Sequence, residues 1–304
     1  MKAYGITLAA SLGLAAIAPD AGAQRVFPTP EAAAAALVEA AKAGDRKALE
    51  AIFGPEADVV LESGDTVGDE NDRKWFVAKA AKKMAIEPED EGWAILTVGP
   101  EAWPLAIPLH QRRDGWVFDV AEGKEELLDR RVGNNELVAI SVARAFVDAQ
   151  REYAAEDPDG NGAHDYARRL LSSEGTRDGL YWPAAAGETP SPFGPLVAEA
   201  SGKGYRAKTD AGERTPYEGY YFKVLTEQGS HAPGGAMSYE ENGKLTKGFA
   251  LLAWPATYGA SGVKTFVVNQ LGIVFEKDLG AQTDTVAPAL VAYDPDRSWN
   301  PSAD

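Results

Sequence analysis

An α+β fold in two successive halves is predicted from where the chain keeps its glycines, tyrosines and alanines. All ten tyrosines after residue 23 follow Gln150, and 20 of the 31 glycines follow Val132. Aromatic strands joined by glycine turns are therefore concentrated late in the chain. The earlier part opens alanine-rich and helical, then changes to strand-like patterning near residue 93.

Lys2, an apolar run over 6–17 and the small residues Ala21, Gly22 and Ala23 have the form of a secretory signal. Cleavage is expected after Ala23, leaving a mature chain that starts at Gln24 in the periplasm or outside the cell. The apolar run is shorter than the roughly 20 residues a bilayer span requires, and no later segment approaches that length. An integral membrane segment is thus not expected after signal removal. Cysteine is absent, which excludes disulfides, thiolate nucleophiles and zinc–sulfur sites. The net charge of −16 divides evenly between 24–132 and 133–304. Neither half offers a basic face, so nucleic acid and anionic lipid are poor partners.

The domain boundary is placed at 132/133, where the composition changes. In 24–132, Thr29 is expected to cap a helix with Pro30 in its first turn, stopped by Gly44; Asp45 caps a second helix closed by Gly54. A short strand over 59–61 and a third helix over 72–84 follow. Strands are expected over 93–98, 105–111 and 116–120, the last two joined through Asp114-Gly115. In 133–304, Asn134 is expected to cap a helix striped by Ala139, Val142, Phe146, Ala149 and Tyr153. Strands over 220–225, 236–240, 249–254, 265–269 and 273–276, with turns at Asn242-Gly243 and Leu271-Gly272, complete a sheet against which that helix would pack.

Helices followed by a curved antiparallel sheet make the first half resemble the cone of nuclear-transport-factor-like and cystatin-like folds. The second half, through Ala149-Gln150-Arg151-Glu152-Tyr153, Gly219-Tyr220-Tyr221-Phe222, Ala253-Trp254-Pro255 and Gly262-Val263-Lys264-Thr265-Phe266, resembles the globular part of type IV pilins and pseudopilins. It lacks the apolar helix half through which pilins polymerise. Over the whole mature length the chain also resembles a family of exported proteobacterial proteins known only as a domain of unknown function. The words that carry this resemblance include Glu62-Ser63-Gly64-Asp65, Asn134-Asn135-Glu136-Leu137, Asp178-Gly179-Leu180-Tyr181-Trp182-Pro183 and Lys277-Asp278-Leu279-Gly280. That resemblance implies an envelope location and no particular activity.

Asp157, Asp159, Asn161 and Asp165 place side-chain oxygens at alternate positions around Gly160, a pattern suited to calcium. Arg168 stands where such a loop would close with a bidentate Glu, and a polar turn explains the same residues. Ser230-His231 and Ser261 are the nucleophile candidates, and any base must be His110, His164 or His231. Neither serine lies in a nucleophile elbow, and no histidine has a partner legible in the sequence. The three histidines lack metal-ligand spacing, and Gly202-Lys203-Gly204 lacks the third glycine of a nucleotide loop. Tyr181, Trp182, Tyr217, Tyr221 and Trp254 offer an aromatic platform for a sugar or peptide, or else fill the core.

These features favour a non-enzymatic binding or assembly module of the cell envelope, with an envelope protein or a polysaccharide as partner. An enzyme or small-ligand protein with Trp93, Trp103 and Trp116 lining a pocket in the first half is the alternative, and polysaccharide binding by the second half is another. Export should remove the signal: amino-terminal sequencing of the protein recovered outside the cytoplasm is expected to begin at Gln24, and an intact Met1 would contradict cleavage.

Overall fold

The computed structural model describes residues 24–160, 162–185, 187–206 and 215–303, and in it the chain is α+β. Helix α1 (Pro30–Ala43) starts where Thr29 accepts the amide of Ala32 and ends at Gly44 in the left-handed conformation. Helix α2 (Arg46–Phe53) is capped by Asp45. Both follow from the sequence. Helix α3 (Ala57–Leu61) replaces the strand expected over 59–61. It continues the turn after α2, and the carbonyls of Val59 and Val60 are taken by Arg131 at 3.2 and 3.1 Å, so no strand partner is required. Helix α4 (Thr66–Lys82) begins earlier than expected because Asp65 caps it.

The first sheet contains β1 (Met84–Pro88), β2 (Trp93–Val98), β3 (Trp103–Pro104), β4 (Leu109–Arg112) and β5 (Gly115–Phe118). Its order is β1-β2-β4-β5, with β3 pairing the far end of β2, and every pairing is antiparallel. Side chains alternate faces along a strand, which puts Ala94, Leu96, Val98, Leu109 and Phe118 together on one face. They form a core with Leu37 of α1 and Leu49, Ile52 and Phe53 of α2.

Helix α5 (Val120–Glu156) is the main departure from expectation. It starts at Val120 under an Asp119 cap and passes through Gly133, Asn134 and Asn135 without a break. The strand expected to reach residue 120 therefore stops at Phe118, and Asn134 caps nothing. The boundary proposed at 132/133 falls inside this helix rather than in a linker.

The second sheet is a meander of β6 (Tyr220–Leu225), β7 (Ala250–Pro255), β8 (Lys264–Asn269), β9 (Phe275–Asp278) and β10 (Asn300–Pro301), each paired antiparallel with the next. One face packs on α5 through Phe146, Val147, Leu251, Phe266 and Val268. The opposite face is covered as well: Leu252, Trp254 and Val267 pack with Tyr239, Tyr293 and Ala287 of α7 (Thr283–Ala289; α6 is Gly194–Gly202). Burial on both faces explains why β7 reads as the unbroken apolar run Ala-Leu-Leu-Ala-Trp-Pro. The strand expected over 236–240 is present only as two short pieces, the second joined through Asn242-Gly243 with both residues at positive φ, as a tight hairpin turn requires. Gln150 is fully buried and exchanges two 2.8 Å hydrogen bonds with the backbone of Ala167, which fixes the chain after α5. No helix among the described residues is long and apolar enough to cross a membrane.

Two glycines of α5 test its course. A Cβ at Gly123 would lie 2.4 Å from the carbonyl oxygen of Ala106, whereas one at Gly133 would meet nothing within 4 Å. Gly123→Ala is expected to destabilise the fold by about 1–3 kcal/mol through overpacking. Gly133→Ala should stabilise it by about 0.5–1 kcal/mol through helix propensity. Denaturant melts of both variants check this; a destabilising Gly133→Ala would contradict a continuous helix.

Candidate functional site

The residues around Ser63-Gly64-Asp65 gather the two halves into one polar junction. Asp65 is buried, and its carboxylate accepts four hydrogen bonds. Oδ1 takes the amides of Val67 and Gly68 at 3.1 Å, which caps α4. Oδ2 takes the Tyr205 hydroxyl at 2.7 Å and the Gly219 amide at 2.9 Å, both from the second half. The Tyr205 oxygen in turn accepts the Glu218 amide at 3.2 Å. Gly219 is at positive φ, and a Cβ there would lie 2.4 Å from Asn135 Nδ2. Asn135 donates to the Ser261 carbonyl, and Glu136 accepts the amides of Val263 and Lys264. The middle of α5 thus holds the turn before β8 while the start of α4 holds the turn before β6.

Around this anchor the charges are crowded. Asp69 accepts the Ser63 amide, and burial raises its pKa despite that bond. Asp72, one helical turn on, stands in water but is walled by protein; desolvation, opposed by Arg131 and reinforced by Asp69, Glu218 and Asp65, pushes it up to about 6. Asp72 makes no hydrogen bond or ion pair with any described residue. Arg131 is half-buried and committed to the α3 carbonyls, and desolvation lowers its pKa. Lys203 bonds Glu218 at 2.8 Å, which raises its pKa, and also reaches Glu199 at 3.1 Å. Burial raises both Tyr205 and Tyr217, whose rings meet edge to face at 5.0 Å.

Along α4 the same side of the helix continues from Asp72 to Trp75 and Lys79. Trp75 is 43% exposed and meets Trp103 of β3, 48% exposed, edge to face at 6.0 Å. Lys79 lies over the Trp75 ring and pairs with Glu101. Arg130, next to Arg131 on α5, lies over the Trp103 ring and pairs with Glu126. Carboxylate, aromatic corner and cations form one surface strip.

Most of the residues singled out from sequence lie elsewhere, Trp103 and Tyr217 excepted. Trp182 and Trp254 are buried in different cores, on opposite faces of the second sheet, and so form no common platform. Tyr181 packs against the first of these cores, and Tyr221 lies beside Trp254 at 5.6 Å. Of that set, only Tyr217 reaches the junction. Trp93 and Trp116 occupy opposite faces of the first sheet by register, and Trp103 sits at its rim, so the three do not line one pocket. Asp157 closes α5 in the left-handed conformation and accepts the Gly162 amide at 2.8 Å, while Asp165 is buried 3.8 Å from Lys244. Asn161 lies outside the described residues. Among the described residues, Asp157, Asp159 and Asp165 included, no three His, Cys, Asp or Glu side chains are placed to hold a metal ion.

Ser261 is fully buried, its hydroxyl spent on the backbone of Thr257. The histidines do have partners that the sequence hid. His110 stacks on Trp93 at 3.9 Å and approaches Asp119 at 3.3 Å, His231 meets Asp294 at 3.0 Å, and His164 meets the Ala154 carbonyl. Asp65, Asp69, Asp72, Arg131 and Tyr205 were not anticipated as a group. Their one sequence signal is the spacing of the three aspartates, which places them along one side of a helix that Asp65 caps.

A family described as "Protein of unknown function (DUF2950)" matches residues 24–301. No curated protein and no solved structure matches the chain.

The junction predicts opposite effects for two substitutions. Asp65→Asn keeps a capping carbonyl but sets an amide against the donors Tyr205 and Gly219, and is expected to cost about 2–3 kcal/mol. At Asp72 the folded chain holds its proton more tightly than the unfolded chain, so stability should fall as pH rises through about 4 to 6. Asp72→Asn should flatten that slope and raise stability at neutral pH by at most about 1 kcal/mol, since water screens an exposed carboxylate. Urea melts across this pH range check both signs.

Proposed function

We propose, for a chain that belongs to the DUF2950 family of proteins of unknown function, a non-enzymatic role as an exported binding module of the cell envelope. The contact between Trp75 and Trp103 carries this reading, because they are the only large aromatic side chains exposed among the described residues and they touch each other. Isolated exposed apolar residues need no explanation, whereas exposed aromatics brought together mark a binding surface. Trp182 and Trp254 serve the cores and Tyr181 and Tyr221 pack beside them, which favours a binding surface on α4, β3 and the adjoining stretch of α5 over one on the second half. The export signal read over 1–23 supports an envelope location.

Binding rather than catalysis is favoured by how the polar groups are used. Ser261 and the Asp65 carboxylate are consumed by backbone and hydroxyl bonds that hold the fold together. The insoluble glycan fraction of the envelope should retain the exported protein. The double substitution Trp75→Ala, Trp103→Ala should release it while the protein keeps a cooperative melt, since neither ring belongs to a buried core. Failure of the wild type to be retained, or equal retention of the double variant, would overturn this role.

A further inference from the structure

We infer that the α4 strip takes an amine-bearing glycan, with Trp75 and Trp103 against the sugar faces and Asp72 holding the ammonium group. This rests on the binding role proposed above and names the ligand class for the same surface. The two rings meet at 85°, so they present two faces of a corner to a ligand, and the apolar face of a pyranose can lie on either. Their surroundings are polar: Lys79, Glu101, Arg130 and Glu126 border the rings. The core of a protein–protein interface is depleted of such charges, while a ring of hydroxyls can use all of them.

Charge then selects among glycans. Lys79 and Arg130 are already matched by Glu101 and Glu126, Lys203 is matched by Glu218, and the single charge of Arg131, whose guanidinium bonds the carbonyls of α3, is shared between Asp69 and Asp72. Asp72 is the carboxylate on the strip with no hydrogen bond or ion pair to a described residue, three positions from Trp75 on the same side of α4. The surplus charge there is negative, on a chain of net charge −16. A uronate polymer would be repelled, and an ammonium group would complete the pairing.

Glucosamine oligosaccharides and their N-acetylated counterparts present the same ring faces with and without the positive charge. Titrated into the full mature chain at about pH 6.5, the free-amine oligosaccharide is expected to bind about tenfold more tightly, as a charge-assisted hydrogen bond implies. Asp72→Asn should reduce the preference to about twofold or less while leaving the N-acetylated sugar unchanged, and Trp75→Ala should weaken both. Equal affinity for the two sugars, still dependent on Trp75, would overturn the amine assignment and leave the binding role standing. Binding of neither sugar, together with loss of envelope retention, would overturn both. An oligolysine peptide that binds in a Trp75-dependent manner more tightly than the free-amine sugar would overturn the glycan assignment in favour of a protein ligand.

Discussion

The Asp65 carboxylate is the constraint on which the arrangement of the two halves depends. A buried carboxylate is costly unless its lone pairs are used, and here four bonds are made, two by neighbouring amides and two by groups from a distant part of the chain. Two donors belong to the first turn of α4, where the positive end of the helix favours a negative charge. The other two arrive from residues 140 and 154 positions away. Because a carboxylate accepts only in specific directions, satisfying it fixes α4 relative to the turn before β6. That position in turn settles which side of α4 remains in water, and therefore where Asp72 and Trp75 stand.

Helix α5 supplies the second constraint by serving both cores. Its first turn approaches the backbone at Ala106 so closely that residue 123 must lack a side chain. Its later turns bury Phe146, Val147 and Tyr153 against the second sheet. Between these two ends, Arg131 reaches back to α3 and Asn135 and Glu136 reach forward to the loop before β8. One rigid rod therefore carries polar contacts to both halves where the composition changes most sharply. Arg130 and Arg131 divide their work across the strip, one over Trp103 and the other near Asp69 and Asp72.

The division of the tryptophans bears on function for the same reason. A sheet covered on both faces needs large side chains on both, and Trp182 and Trp254 are consumed there. Trp93 stacks on His110 across the outer face of the first sheet. Trp75 and Trp103 complete no core, yet they are held in contact by the helix and the edge strand that carry them. Their exposure, next to a carboxylate that makes no hydrogen bond or ion pair with a described residue, is what distinguishes this surface.

Local sequence determined much of the architecture. Thr29, Asp45 and the glycines after them set α1 and α2, Asn242-Gly243 set a hairpin, and the apolar stripe from Ala139 to Tyr153 set the packed face of α5, because capping, positive φ and helical period act over a few residues. Gly133-Asn134-Asn135 misled as a helix break, since low intrinsic propensity there is overridden by what the side chain of Asn135 does in the folded state. The same limit hid the candidate site. Whether Trp182 is buried and Trp75 exposed, and whether Asp65 only caps a helix or also joins two halves, depend on contacts made across more than a hundred residues or between separate layers. Composition and spacing carry no record of those contacts, and only the tertiary structure decided which polar and aromatic groups were consumed by the fold and which were left to meet a ligand.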